Sequence, residues 1–206
     1  MSKAPAPPLM AIFRSQLQAE ILTLVMLSPR RHSMSDLAAK LDAPFATVHR
    51  EVGRLIEAGL LEDHRIGRSR ILSPNTASPA YRPLRDLVLV AFGPREVIAQ
   101  EFSGLNGLEG LLIYGSWAAR YSGEDGPEPG DIDVLVIGDV DRDEAYDAAE
   151  RAQDRLERDV NPQFVTVARW NEPSTPFLLE VKQRPLITLV APPPPAESAA
   201  KTPNDH

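Results

Sequence analysis

Apolar residues recur at helical spacing from Met10 to Leu27, where Ile12, Leu17, Ile21, Leu22, Val25 and Met26 mark one helix. Ser33 follows, with Asp36 three residues on in a capping-box arrangement, and Leu37, Ala38 and Leu41 are the apolar positions of a short second helix. Asp42-Ala43-Pro44 makes a turn, and Pro44 suits the start of the next helix. That helix runs from about Phe45 to Ala58 and buries Val48, Val52, Leu55 and Ile56. Arg50, Gly53 and Arg54 lie opposite this stripe, with Thr47 and His49 at its flanks. Gly59 ends the helix. Leu60 to Ile66 and Arg68 to Leu72 then read as a hairpin turning at Gly67, with Arg65, Arg68 and Arg70 near its tip.

A polar, Pro-punctuated link over residues 73–82 leads to a helix from Leu84 to Phe92, which Gly93-Pro94 breaks before another helix to about Phe102. The first of these is apolar almost all round, which fits a segment buried between domains or in a dimer interface. Leu111 to Tyr114 reads as a short buried strand, with Gly115 and Ser116 at the turn into a helix packed by Trp117, Ala118 and Tyr121. A loop from Ser122 to Gly130 precedes a second strand, Asp131 to Gly138. Asp141 to Arg158 is a charged helix with a solvated face. Gln163 to Ala168 is a third strand, and apolar positions from Phe177 to Leu189 pack a closing helix or strand.

Composition narrows the function classes. Apolar content of 43% is ordinary for a globular chain, and 206 residues allow one large or two small domains. The absence of cysteine excludes disulfides and thiolate metal sites, and His32, His49, His64 and His206 do not cluster at a zinc-ligand spacing. No apolar run reaches the length of a membrane span and the N-terminus has no signal pattern, so a soluble cytoplasmic protein is expected. The net charge of −7 hides a split. Residues 1–85 carry 12 Lys/Arg against 7 Asp/Glu, and residues 86–206 carry 10 against 22. Such asymmetry suggests a part facing nucleic acid joined to a part with another task.

Candidate chemistry sits in the second part. Asp131 and Asp133, two apart in a strand, point to one face, where two carboxylates repel each other unless a cation lies between them. Hard oxygen ligands suit Mg²⁺, which typically takes one or two carboxylates plus substrate phosphates. The Gly115-Ser116 turn offers backbone N–H groups and a hydroxyl to a phosphate. Arg120 lies one turn beyond Ser116; it reaches a phosphate or pairs with an acid of the core.

Gly-Ser at a helix start followed by Asp-x-Asp on the next strand resembles the signature of the minimal nucleotidyltransferases of the DNA polymerase beta superfamily. The resemblance implies a small mixed sheet over 105–190, with Asp131 and Asp133 as catalytic metal ligands for Mg²⁺ and Gly115 and Ser116 at the β/γ-phosphates of a nucleoside triphosphate. Active members usually add a third carboxylate from the next strand. Here Asn161 falls in that place, and an amide neither accepts a proton usefully nor binds Mg²⁺ as well.

The helices and basic hairpin over about 10–75, and the stretch Ala46 to Leu61 in particular, resemble a winged helix-turn-helix of the ArsR-like regulator type. That implies Thr47, His49, Arg50 and Arg54 facing a major groove and Arg65, Arg68 and Arg70 on phosphates of double-stranded DNA, in a homodimer. The whole is an α+β chain: residues 1–9 disordered, a winged helix-turn-helix over 10–75, linker helices over 76–104, a nucleotidyltransferase-like domain over 105–190 and a disordered tail over 191–206. Two functions fit. One is a DNA-binding protein that moves a nucleoside monophosphate onto a hydroxyl acceptor. The other is a transcriptional regulator whose degenerate transferase domain senses nucleotide or binds a partner.

Overall fold

The computed structural model describes residues 8–67, 69–127 and 129–195. It divides into two units. The first takes the residues up to Gly104 together with Asp147–Val160; the second takes Leu105–Tyr146 and the described residues from Asn161 onward.

In the first unit, Ser15 decides where the long N-terminal helix begins. Its hydroxyl accepts the amide of Gln18, so helix α1 spans Gln16–Leu27. The expected single helix from Met10 is therefore split, and Pro8–Ile12 forms a separate 3-10 turn that includes two of the residues expected to be disordered. Helix α2 is Met34–Lys40, closed by the expected capping box: Asp36 Oδ2 accepts the Ser33 amide at 2.8 Å, and Ser33 Oγ accepts the Asp36 amide at 3.2 Å. Helix α3 is Phe45–Glu57. Strands β1 (Leu61–Ile66) and β2 (Ser69–Pro74) pair antiparallel, and Gly67 at φ +60 provides the left-handed turn residue. Ser33 adds an antiparallel bridge to Ile71, so the start of α2 is tied to the hairpin.

Helices α4 (Tyr81–Phe92) and α5 (Pro94–Phe102) were expected to be linkers. Instead Val88 of α4 is fully buried in one core with Ile21, Leu37, Val48, Val52 and Leu61, and Phe92 meets the edge of Phe13 at 5.2 Å. The apolar character of α4 is explained by this packing on α1, with Val90 left 51% exposed on the other side. Helix α7 is Arg142–Leu156, and most of it belongs to the first unit. Ala145, Ala148, Ala149 and Ala152 form its buried stripe, and Arg151 and Arg155 hold Glu101 of α5 at 2.9 and 2.6 Å.

The charged helix is followed by a buried ionic cluster that its solvated pattern hid. Glu157 has φ 53, rare outside glycine, and turns its carboxylate inward. It meets Ser28 Oγ at 2.5 Å, His32 Nε2 at 2.7 Å and Lys40 Nζ at 3.0 Å. Arg158, also buried, donates to the Leu27 carbonyl at 3.0 Å.

The second unit is built on a four-stranded sheet in the order β5-β4-β3-β6: β3 Leu108–Tyr114, β4 Asp131–Gly138, β5 Asp159–Val165 and β6 Ile187–Val190. Strand β3 runs antiparallel to both neighbours. Short helices α6 (Gly115–Tyr121), α8 (Val167–Asn171) and α9 (Pro176–Gln183) complete it. Leu112, Leu135, Ile137, Val165, Trp170, Leu178 and Val181 form one core. The third strand begins earlier than the expected Gln163 and takes in Pro162. An edge strand tolerates a proline that a central one would not. It ends earlier as well, because Thr166 caps α8 by accepting the Arg169 amide. Of the expected tail, 191–195 is described, with Pro192 against Gly110; the rest lies outside the described residues.

Candidate nucleic-acid interface and carboxylate site

Val48, Val52 and Leu55 are buried and fix the orientation of α3 against the first core. Their burial turns His49, Arg50 and Arg54 to the surface and leaves Thr47 half-buried at the flank. Arg54 is already engaged: its Nη1 lies 3.2 Å from Glu51 Oε2, and Gln18 donates to the other oxygen of that buried carboxylate at 3.1 Å. His49 is backed by Phe45, 52% exposed, with ring centroids 6.1 Å apart. On the hairpin, Arg65 and Arg70 are exposed and sit directly opposite each other in register. Like charges so placed are unfavourable without a counter-charge. Asp63 supplies one to Arg70, and an anionic partner would supply the other. Arg68 lies outside the described residues.

Asp131 and Asp133 open β4, separated by the fully buried Ile132. Tyr114, the last residue of β3, is the register partner of Asp133. The chain then turns at once into α6 through Gly115, whose φ is +72. A Cβ there would lie 2.5 Å from Asp133 Oδ2, so the backbone turn favours glycine and a side chain would displace the carboxylate as well. Ser116 follows, exposed in the first turn of α6. Asn161 Nδ2 donates to Asp131 Oδ2 at 3.2 Å, so the residue in the place of a third acid does stand beside the pair.

The electrostatics of this cluster are strained in one direction. Burial, then the neighbouring Asp131, pushes the Asp133 carboxyl above the usual carboxylate range. Burial and the same two carboxylates push the Tyr114 phenol up to about 12. Arg120 relieves none of this: it donates from Nε to the Pro127 carbonyl at 3.1 Å and from Nη1 to the Glu124 carbonyl at 2.6 Å, so it folds the following loop back on α6. Gly126 lies against the guanidinium with φ +149, a backbone conformation that favours glycine.

The donor set fits Mg²⁺ shared with phosphate oxygens rather than an all-protein cage. It offers two hard carboxylates on one strand face and an amide. Among the described residues no group of three or more His, Cys, Asp or Glu is placed to hold a metal ion.

Residues 19–65 match the family model of the IclR helix-turn-helix domain. The match takes in the helix-turn-helix α2-turn-α3 and most of β1, so the N-terminal part has a helix-turn-helix of IclR type, and the β1–β2 hairpin follows α3 in the place of a wing; an ArsR-like assignment does not follow from this match. No curated protein matches the sequence. Solved structures that resemble the chain include reduced HlyU from Vibrio cholerae N16961, at 17% identity, 39% of this chain, 78% of that chain and TM-score 0.32. The adhesin competence repressor AdcR from Streptococcus pyogenes is similar at 22% identity over 40% of this chain and 61% of that one, TM-score 0.33. The transcriptional regulator BldR from Sulfolobus solfataricus is similar at 20% identity over 48% and 68%, TM-score 0.36. No helix among the described residues is long and apolar enough to cross a membrane.

Sequence reasoning missed two participants at these sites. In the sequence Tyr114 marks only the end of a strand, although its place before Gly-Ser puts it beside the carboxylates. Glu51 draws no attention in the sequence, yet at three residues before Arg54 it lies within helical reach of it.

Proposed function

We propose that the chain is a DNA-binding transcriptional regulator whose winged helix-turn-helix contacts duplex DNA, and whose second unit binds a nucleoside triphosphate with Mg²⁺ as a sensing module. The observation that carries the DNA reading is the exposed His49–Arg50 face of α3, backed by Val48, Val52 and Leu55 in the core of a domain of matching family type. Thr47, His49 and Arg50 face base edges; Arg54, held by Glu51, lines the same groove; Arg65, Arg68 and Arg70 take phosphates.

Arg50→Ala is expected to weaken binding by about 1–3 kcal/mol at the preferred site and to relax the preference at one base pair. Arg65→Ala is expected to weaken binding to all sequences alike and to reduce the salt slope by about one. Fluorescence anisotropy across a salt series reads both, and an unchanged slope would take Arg65 out of the interface.

The regulator is proposed to act as a cytoplasmic homodimer, through the surface of α4 that carries Val90 and through the N-terminal turn that carries Ile12, 60% exposed. Light scattering should give twice the chain mass at micromolar concentration; a monomer would remove this part of the reading.

In the second unit, Asp131 and Asp133 would hold the cation, which supplies charge neutralisation to the phosphates. Gly115 and Ser116 would receive the β/γ-phosphates. A second reading retains chemistry: transfer of a nucleoside monophosphate to a hydroxyl acceptor. The glycine turn set tight against Asp133 and the paired carboxylates favour it. Asn161 weighs against it, since its amide donates to Asp131 where a proton acceptor would be needed. The sensing reading is therefore preferred.

A further inference from the structure

Gly53 lies in the middle of α3, a position where glycine is the least favourable helix residue apart from proline. Nothing in the fold explains it. Its backbone is helical, and a Cβ built there meets no atom of the described residues within 4 Å. Packing and backbone conformation would both accept alanine. The face around it is the one proposed to meet DNA: His49 and Arg50, one turn earlier, are exposed, and Arg54 follows.

We propose that Gly53 is the point where the duplex comes closest to the helix backbone, and that its missing side chain sets how deeply α3 enters the groove. The inference rests on the DNA-binding reading above. His49 and Arg50 reach further onto the base edges the closer the helix axis lies to the groove floor. A methyl group one turn further along the same face would hold the axis away from it. The glycine thus gives up helix stability for access, so binding and stability should respond in opposite directions to one substitution.

The test uses the full chain and a DNA duplex enriched from a randomised pool by the native protein. Gly53→Ala should raise the melting temperature by about 2–4 °C and weaken binding to that duplex about tenfold, with Gly53→Leu weaker again. Charge is unchanged in both, so the loss reports on fit. Gly53→Ala binding as tightly as the native protein overturns the inference, and so does a lowered melting temperature, which would give the glycine a structural role. If the native protein enriches no duplex, the DNA-binding reading itself fails and the inference with it.

Discussion

Asp131→Asn/Asp133→Asn is expected to abolish Mg²⁺-dependent binding of a nucleoside triphosphate, with a loss of at least about a hundredfold, which corresponds to about 2.8 kcal/mol. A triphosphate entering a site that already holds two carboxylates is repelled, and only a cation between them reverses the sign. The pair is self-repelling in the folded chain, because burial and Asp131 both act against the Asp133 carboxylate. The double variant should therefore melt higher than the native protein in EDTA, and should lose the rise in melting temperature that Mg²⁺ and nucleotide give the native chain. Calorimetric titration with and without Mg²⁺ checks the binding. Native binding that persists unchanged in EDTA would show that the carboxylates do not act through a metal. Asn161→Asp adds a proton acceptor beside Asp131 and is expected to bring out transfer of nucleotide to an acceptor where the native chain shows little. Rapid labelling by the native chain would mean that Asp159, exposed on the same face of β5 as Asn161, completes the site instead.

Glu157→Ala is expected to destabilise the first unit by about 3–5 kcal/mol, because it leaves Lys40 and His32 without the buried carboxylate they surround. Burial by itself would push this carboxyl up. Hydrogen bonds from Ser28 and Lys40, with the nearby His32, outweigh burial and hold it below the ordinary glutamate range. A carboxyl depressed by folding stabilises the native state above its unfolded value, near 4.3 for glutamate as a rough reference, and that contribution is lost as pH falls through the folded value. Denaturant unfolding from pH 7 down to about pH 3 should show the native chain losing stability at the acid end, with a flatter profile in Glu157→Gln. A native-like acid profile in Glu157→Gln would assign the acid sensitivity to other carboxylates.

The parts legible in the sequence are those fixed by near neighbours. Ser33 and Asp36 specify a capping box within three residues, and α2, α3 and the Gly67 hairpin follow from local periodicity and one turn residue. The Asp131–Asp133 face needed only the alternation of a strand. Hidden from such reasoning were features set by distant partners. Glu157 and Arg158 look like the end of a solvated helix, and only their contacts with Ser28, His32, Lys40 and Leu27, more than a hundred positions away, reveal a buried cluster. Helix α4 looks like a connector until α1 is seen beside it. Arg120 pairs with the carbonyls of its own following loop rather than with an acid of the core, a partner that no local pattern announces.

The helix-turn-helix unit is closed by a piece of chain that arrives after 42 intervening residues, Leu105 to Tyr146, have been spent on the other unit. Such a unit cannot be cut out as a cassette. A fragment stopped at Gly104 would carry the recognition helix and wing but lack Arg151, Arg155 and Glu157, so Glu101, His32 and Lys40 would all lose their partners at once. A graft onto another protein would have to bring Asp147–Val160 along through an artificial connection. The two halves of this gene are in that sense interleaved, and neither could have been gained or lost by a single end-to-end fusion or deletion without rebuilding the other.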